Sequence, residues 1–117
     1  VYRLDIYQNK SLFIASGATG SYIFDYRMES KHIFSVTESS EDTDAVKFFP
    51  DGQSFAYGLS DSVIKLMDIR THRQINEYTH PTATAIGSIE FSKSGYYLFA
   101  GYDESPFCIA WNTITAE

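Results

Sequence analysis

The sequence predicts an all-β protein made of roughly three similar four-stranded antiparallel sheets, and three observations lead to this prediction. Short runs rich in β-branched and aromatic residues alternate with clusters of polar turn residues along all 117 residues. No stretch shows the sustained periodicity of an amphipathic helix. Several landmark residues recur with a period of roughly 40–45 residues, which is the spacing of a four-stranded propeller blade.

The repeat is visible at strand ends and within the first strand of each unit. A glycine ends each second strand, a polar residue closes each third strand, and a pair of apolar residues marks each first strand. These landmarks are Gly17, Gly58 and Gly101; Asp25, Asp68 and Asn112; and the pairs Leu4/Ile6, Val46/Phe48 and Ile89/Phe91. Because they all keep one period, we predict a blade at 1–39, a second at 40–82 and an incomplete third at 83–117.

The middle unit shows the pattern of strands and turns most clearly. Pro50-Asp51-Gly52 is a turn sequence, since proline fixes φ and glycine accepts the positive φ that reverses the chain. A short return strand follows, and a third strand then begins with β-branched residues. The predicted strands of this unit are 45–49, 54–58, 63–68 and 74–79.

The two flanking units are predicted in the same way. The segment 12–16 is almost continuously apolar, which predicts a strand buried on both faces. The segment 32–36 is more polar, as expected at the outer edge of a sheet. The other predicted strands are 1–6 and 22–25 in the first unit, and 88–92, 96–101 and 107–112 in the third. Since the chain opens within a strand pattern and lacks a fourth strand in its third unit, we expect a segment of a longer protein.

Composition and charge argue against several classes of function. The formal net charge is −6, with nine Lys and Arg residues, so the chain lacks the basic surface that binds a phosphate backbone, and nucleic acid is not an expected partner. The single Cys108 permits no internal disulfide, and its apolar neighbours predict a buried side chain. No apolar run is long enough for a transmembrane helix and no signal sequence is seen, which favours the cytoplasm.

The sequence also lacks the patterns of the common catalytic and metal sites. The acidic segment 38–44 does not follow the residue order of a calcium-binding loop, so a solvated loop is the simpler interpretation. The three histidines, His32, His72 and His80, are too far apart for a zinc motif. There is no glycine-rich phosphate loop and no nucleophile elbow. We therefore expect no metal, no cofactor and no enzymatic activity.

Residues at the ends of third strands resemble the Trp-Asp signature of WD repeats. The matching segments are Ile-Phe-Asp-Tyr-Arg at 23–27, Leu-Met-Asp-Ile-Arg at 66–70 and Ala-Trp-Asn at 110–112. More narrowly, several segments are similar to the central blades of heterotrimeric G-protein beta subunits: 48–52, 78–80, 91–95 and 98–103. This resemblance covers the whole chain. It implies a WD-repeat β-propeller, seven-bladed in the parent protein, of which these residues are a middle segment.

The sequence departs from the WD pattern in its buried polar residues. In WD repeats, a histidine before the first strand bonds through a serine and an aspartate to the tryptophan. Here Glu38-Ser39 occupies the Gly-His position and Leu59 occupies the serine position, although Asp61 is present. We expect apolar packing at Leu59 to replace this polar network.

The resemblance implies a non-catalytic interaction platform whose partners are a gamma subunit, a GDP-bound alpha subunit and effectors. It also implies cytoplasmic localisation, with recruitment to the inner face of the plasma membrane through a gamma subunit. In the family, the partner-binding face consists of the connections between blades and of the loops between second and third strands. The positions that match this face are Tyr2, Thr19, Asp42, Asp44 and Ser60.

Only one of these five positions, Asp42, keeps the residue of the family. Its carboxylate could equally stabilise a turn by accepting backbone N–H groups. The differences at the other four positions leave an alternative open, a diverged WD-repeat scaffold or adaptor with other protein partners. A heptad-patterned helix ahead of the propeller would favour gamma binding, since the family pairs with gamma through a coiled coil.

Overall fold

A computed structural model describes residues 3–8, 11–17, 20–27, 32–36, 43–59, 62–79, 86–102 and 108–116. Within these ranges the chain forms eleven β-strands and no α-helix. In chain order the strands are β1 (Arg3–Tyr7), β2 (Leu12–Gly17), β3 (Gly20–Asp25), β4 (His32–Val36), β5 (Thr43–Phe48), β6 (Ser54–Leu59), β7 (Ile64–Asp68), β8 (Gln74–Tyr78), β9 (Ile86–Phe91), β10 (Tyr97–Tyr102) and β11 (Cys108–Asn112). The predicted all-β fold is confirmed, and the strands lie close to where the sequence predicts them.

The strands form three antiparallel sheets, and each sheet consists of consecutive strands. Sheet 1 contains β1 to β4, sheet 2 contains β5 to β8, and sheet 3 contains β9 to β11. In every sheet each strand pairs with its neighbours in sequence, which is the meander of a propeller blade. The predicted boundaries between blades fall at 39/40 and 82/83, outside the described residues, and stay predictions.

Two apolar cores lie between the sheets, so that sheet 2 is covered on both faces. The first core joins Leu12, Ile14 and Ile23 of sheet 1 to Val46, Phe48, Phe55, Tyr57 and Leu59 of sheet 2. The second core joins Ala45, Ala56, Ile64, Leu66 and Tyr78 of sheet 2 to Ile86, Ile89, Phe91, Leu98, Ala100, Tyr102 and Trp111 of sheet 3. Leu59 is buried in the first core, as expected for apolar packing in place of a polar network.

Two predictions about burial are wrong. Strand β2 alternates between buried and half-buried residues instead of being buried on both faces. Cys108 is exposed, although its apolar neighbours predict burial. Both have one physical cause, because among the described residues sheets 1 and 3 have a neighbouring sheet on one face only. On the uncovered face of sheet 1, the side chains of Leu4 and Ile6 are 56% and 50% exposed.

The polar residue that closes each third strand has the same role in all three sheets. Its side-chain oxygen accepts backbone N–H groups of the following turn. Asp25 accepts from Arg27 at 3.0 Å, Asp68 from Arg70 at 2.8 Å and Thr71 at 3.0 Å, and Asn112 from Ile114 at 2.9 Å and Thr115 at 3.1 Å. Because the turn needs only an oxygen acceptor, asparagine can replace aspartate in the third sheet.

Candidate functional site

The meander gives each sheet two ends with different connections. At the upper end, second strands lead into third strands and the chain passes from one sheet to the next. At the lower end, first strands turn into second strands and third strands turn into fourth strands. All five predicted partner-binding positions belong to the upper end: four stand just before or just after a strand that begins or finishes there, and Asp44 is the second residue of β5, which begins there.

The side chains of these five positions fall outside the described part of the chain. Tyr2, Thr19, Asp42 and Ser60 are not among the described residues, and for Asp44 only the backbone is described, within β5. Their role in binding therefore stays a prediction. The described strands form the scaffold beneath these positions, and contacts between the sheets hold that scaffold together.

At the lower end, each of the first two sheets inserts an aromatic ring beneath a turn of the next sheet. A Cβ atom added to Gly52 would lie 2.3 Å from the Tyr7 ring, and one added to Gly95 would lie 2.4 Å from the Phe49 ring. The Tyr7 hydroxyl also donates a hydrogen bond to the carbonyl oxygen of Pro50 at 2.9 Å. These aromatic–glycine contacts join consecutive sheets through turns whose glycines have φ of +70° and +80°.

The first strands of the three sheets carry alternating charges at matching positions. Asp5 Oδ2 accepts the backbone N–H of Phe48 at 2.8 Å. Lys47 Nζ lies 3.7 Å from Asp5 Oδ1 and 3.4 Å from Glu90 Oε2, so one lysine bridges both neighbouring sheets. The lysine and glutamate are partly exposed, and ion pairs of this kind contribute about 0–1 kcal/mol each.

Polar contacts tie the outer part of sheet 2 to the end of sheet 3. The carbonyl oxygen of Thr113 accepts hydrogen bonds from Asn76 Nδ2 at 3.0 Å and from the Tyr78 hydroxyl at 2.7 Å. The Thr113 hydroxyl in turn donates to the carbonyl oxygen of Gly95 at 2.6 Å. Burial raises the pKa of the Tyr78 hydroxyl to about 12.

The buried Tyr102 hydroxyl differs from that of Tyr78, because no described residue forms a hydrogen bond with it. The Tyr102 ring packs edge-on against Trp111 in the second core, and burial raises the pKa of its hydroxyl to about 12. An unpaired buried hydroxyl costs free energy, whereas a paired one contributes to stability.

We expect the two tyrosines to respond differently to removal of the hydroxyl. Tyr78→Phe should lower the free energy of unfolding by about 1–2 kcal/mol, because the substitution removes a buried hydrogen bond. Tyr102→Phe should leave the free energy of unfolding unchanged or raise it by up to about 1 kcal/mol. Urea denaturation of the two variants of the full-length protein measures both values. Equal losses would contradict the assigned hydrogen bonding.

One carboxylate has a strongly lowered pKa for a local reason. Arg27 forms hydrogen bonds with Asp25 through Nη2 at 2.6 Å and through Nε at 3.0 Å, and these bonds lower the pKa of Asp25 to about 2. The backbone N–H of Thr71 likewise holds the pKa of Asp68 below its usual range. Both carboxylates are engaged by their own turns, which argues for structural roles.

The lowered pKa of Asp25 makes its stabilising effect depend on pH. The folded-state pKa of Asp25 is below the ordinary value of 3.8. The contribution of Asp25 to the free energy of unfolding is therefore present above that pH and is lost as the pH falls toward about 2. Asp25→Asn keeps the oxygen acceptor but removes the charge. The difference in melting temperature between wild type and Asp25→Asn should thus be constant near neutral pH and shrink below pH 3.8. A difference that does not change with pH would contradict this role.

Few other candidate sites lie among the described residues. An open cavity of about 440 Å³ lies between the lower ends of sheets 1 and 2, lined by Leu12, Gly52, Gln53, Asp68, Ile69 and Arg70. Within the described ranges, no group of three or more His, Cys, Asp or Glu side chains is placed to hold a metal ion. None of the described segments is a helix long and apolar enough to cross a membrane.

The family matched by this chain is described as "Anaphase-promoting complex subunit 4 WD40 domain", and the match covers residues 6–113. The chain belongs to this WD40-domain family. The three meander sheets, with their repeated turn-closing Asp and Asn residues, agree with this assignment. WD40 domains and G-protein beta subunits are, as families, non-enzymatic scaffolds.

Curated relatives of this WD40 chain include guanine nucleotide-binding protein beta subunits of plants. The chain is 36% identical to the protein of Oryza sativa subsp. japonica and 35% identical to that of Zea mays, over 93% of its length in both cases. It is 36% identical to the protein of Oryza sativa subsp. indica over its full length. The chain spans about a third of the length of these relatives: 30%, 30% and 33%.

These similarities confirm the resemblance found in the sequence. The chain is similar to G-protein beta subunits throughout, and its fold is that of a WD-repeat propeller segment. Sequence reasoning missed the contacts of the lower end, although a signal was present. In the first and second units, an aromatic residue, Tyr7 or Phe49, stands at the end of the first strand. The turn glycine that it contacts, Gly52 or Gly95, belongs to the following unit.

Proposed function

We propose that this chain is part of a non-catalytic protein-interaction platform of the G-protein beta-subunit type, acting in G-protein-coupled signal transduction. Its partners would be a gamma subunit, a GDP-bound alpha subunit and effectors. A gamma subunit would bring the protein from the cytoplasm to the inner face of the plasma membrane. The observation that carries this proposal is the 36% identity to a named beta subunit across 93% of the chain.

The architecture supports binding through loops held on a stiff scaffold. Sheet 2 is packed between two cores, and the aromatic–glycine contacts join the sheets at the lower end. Loops on such a scaffold bind a partner with little loss of conformational entropy. We assign partner contacts to the upper end, at Tyr2, Thr19, Asp42, Asp44 and Ser60.

A second candidate function rests on four of these positions. Tyr2, Thr19, Asp44 and Ser60 differ from the residues that the family resemblance implies there. The matching WD40 family is also described by the name of a subunit of a different assembly. A diverged scaffold or adaptor with other protein partners would keep the same fold and change these contacts.

Isothermal titration calorimetry of the full-length protein with a GDP-bound alpha subunit distinguishes the two candidates. For a working beta subunit we expect saturable binding, and we expect Asp42→Ala to weaken it by roughly tenfold or more, the effect of losing a well-packed interface contact. Glu77→Ala is the matched control, because Glu77 is an exposed acidic residue on the outer strand β8.

Each outcome of the titration has a defined meaning. Binding that Asp42→Ala weakens and Glu77→Ala does not would support the beta-subunit function and the upper-end site together. Binding that neither variant changes would support the function and overturn the assignment of Asp42. No binding by a folded protein that still pairs with a gamma subunit would favour the diverged scaffold.

A further inference from the structure

The open cavity at the lower end lies between two turns of sheet 2 and the start of β2 in sheet 1. Its volume of about 440 Å³ is within the range of about 300–1,000 Å³ that is typical of small-molecule sites. Leu12 and Ile69 are its aliphatic lining residues, while Gln53 and Arg70 are lining residues whose side chains donate hydrogen bonds. A cavity with this lining suits a ligand that has both an apolar part and a charged part.

Hydrogen bonds of the backbone fix the walls of this cavity. The N–H of Ile69 donates to the carbonyl oxygen of Gln53 at 3.0 Å, which ties the two turns of sheet 2 together. The N–H of Gln53 donates to Asp51 Oδ1 at 2.9 Å, within the first of these turns. Because the backbone of the lining residues is already held in place, binding a ligand there costs little conformational entropy.

The guanidinium of Arg70 is available to a ligand, in contrast to its counterpart in sheet 1. Arg27 stands at the matching position, two residues after the aspartate that closes the third strand, and its Nη2 and Nε donate to Asp25 at 2.6 and 3.0 Å. Asp68 instead accepts the backbone N–H groups of Arg70 and Thr71. Arg70 is exposed, and within the described ranges no acidic side chain forms a salt bridge with it.

Charged residues are divided unequally between the two ends of the sheets. The connections between strands at the lower end carry six of the nine Lys and Arg residues, whereas those at the upper end carry none. The lower-end connections contain Lys10, Arg27, Lys31, Arg70, Arg73 and Lys93, with the acidic residues Glu29 and Asp51. The upper-end connections contain Glu38, Glu41, Asp42, Asp61, Asp103 and Glu104. The lower end therefore favours anions locally, although the formal net charge of the chain is −6.

The charge of Asp68 limits the anion that the cavity can hold. Asp68 also lines the cavity, and the backbone N–H groups of Thr71 and Arg70 hold its pKa below the usual range, so its carboxylate is ionised at neutral pH. A phosphate monoester with two negative charges would be repelled by Asp68 more strongly than a carboxylate would be. Because Arg70 is the one basic residue of the described lining, the cavity suits an anion with a single charge.

We propose that this cavity binds an alkyl carboxylate, with the carboxylate on the guanidinium of Arg70 and the alkyl chain on Leu12 and Ile69. Arginine can hold a carboxylate through two parallel N–H···O bonds, which fixes the orientation of the ligand. Burial of the alkyl chain against two aliphatic side chains adds an apolar contribution to binding. The cavity lies at the lower end, so this proposal is independent of the partner-binding positions at the upper end.

Ligand-observed NMR with sodium octanoate and the full-length protein measures binding at this site. We expect saturable binding, and we expect Arg70→Gln to raise the dissociation constant by about tenfold or more, because it removes a charge-assisted pair. Arg27→Gln is the matched control, since Arg27 stands at the same position of sheet 1 and its guanidinium is already engaged by Asp25. It should change the dissociation constant by less than about twofold. Acetate, which lacks the alkyl chain, and octyl phosphate, which carries a second charge, should both bind more weakly than octanoate.

A second measurement reports on Arg70 without any substitution. Phenylglyoxal modifies arginine side chains, and peptide mass spectrometry follows the modification of Arg70 separately from that of Arg27. Saturating octanoate should slow the modification of Arg70 by about fivefold or more, because only the unliganded protein reacts. Unchanged modification of Arg70 in the presence of bound octanoate would overturn the assigned position of the carboxylate.

The other results also have defined meanings. Weakened binding in Arg70→Gln but not in Arg27→Gln supports the proposal. Octanoate that binds Arg70→Gln as tightly as the wild-type protein overturns it, and so does the absence of saturable binding. Acetate that binds as tightly as octanoate would overturn the role of the aliphatic lining, and tighter binding of octyl phosphate would overturn the preference for a single charge. None of these measurements uses an alpha subunit, so their outcome is separate from that of the proposed function.

Discussion

Gly95→Ala should lower the free energy of unfolding by about 3 kcal/mol, because two separate costs act at this position. Gly95 has a φ of +80°, and an L-residue in that region costs about 1–2 kcal/mol. The new Cβ would also lie 2.4 Å from the Phe49 ring, and inserting a methyl group into a filled space costs about 1–3 kcal/mol. Reduced freedom of the unfolded chain offsets about 0.4–1 kcal/mol.

The Phe49→Ala background separates the steric cost from the backbone cost. There the ring is absent, so Gly95→Ala should cost only about 1 kcal/mol, which is the backbone cost less the offset from the unfolded chain. Guanidinium denaturation of the four proteins of this cycle, in the full-length chain, measures the coupling. An equal cost in both backgrounds would show that the ring and the turn do not touch.

Phe55→Ala should lower the free energy of unfolding by about 3–5 kcal/mol, the usual range for removing a large buried ring. Phe55 is fully buried in the first core, with its ring 6.0 Å from that of Tyr57. The substitution leaves a cavity between sheets 1 and 2, and backbone pairing fixes the positions of the strands within each sheet. Neighbouring side chains can therefore fill only part of the space.

Two further variants serve as references for the loss of stability in Phe55→Ala. Phe55→Leu keeps most of the apolar volume and should cost less than about 1.5 kcal/mol. Tyr96→Ala removes an aromatic ring from an exposed turn and should change the free energy of unfolding by less than about 0.5 kcal/mol. If Phe55→Ala cost no more than Tyr96→Ala, sheets 1 and 2 would not share the core described above.

The fold could be predicted from the sequence because its information is local and repeated. Gly52 and Gly95 fix turns, while Asp25, Asp68 and Asn112 close them, and each of these needs only nearby backbone atoms. Their common period then gives the number of sheets. The asparagine in the third sheet did not obscure the pattern, since the turn uses only its side-chain oxygen.

Burial was harder to predict, because it depends on sheets that are distant in sequence. Cys108 has apolar neighbours in the chain, yet it lies on a face that no described sheet covers. Leu4 and Ile6 match the buried pair Val46 and Phe48 of the next unit, yet both are about half exposed for the same reason. An apolar pattern identifies which side chains share a face, but not whether a neighbouring sheet is present.

The candidate site could be predicted only through family resemblance. Loop residues such as Asp42 have no periodic pattern that marks them, and a solvated loop and a binding loop share the same polar composition. The topology nevertheless places the connections that carry these residues at one end of the sheets. The contacts between sheets could have been found from the sequence, since the aromatic residues Tyr7 and Phe49 and the glycines Gly52 and Gly95 follow the repeat.

Hydrogen–deuterium exchange of the full-length protein, with and without a GDP-bound alpha subunit, tests the central claim most directly. If the chain is a beta-subunit-type platform, exchange should slow in the upper-end segments 37–42 and 60–61 when the alpha subunit is added. Exchange in the lower-end turns 50–53 and 93–96 should not change. Slowing confined to the lower end, or no slowing in any segment at saturating alpha subunit, would contradict the account.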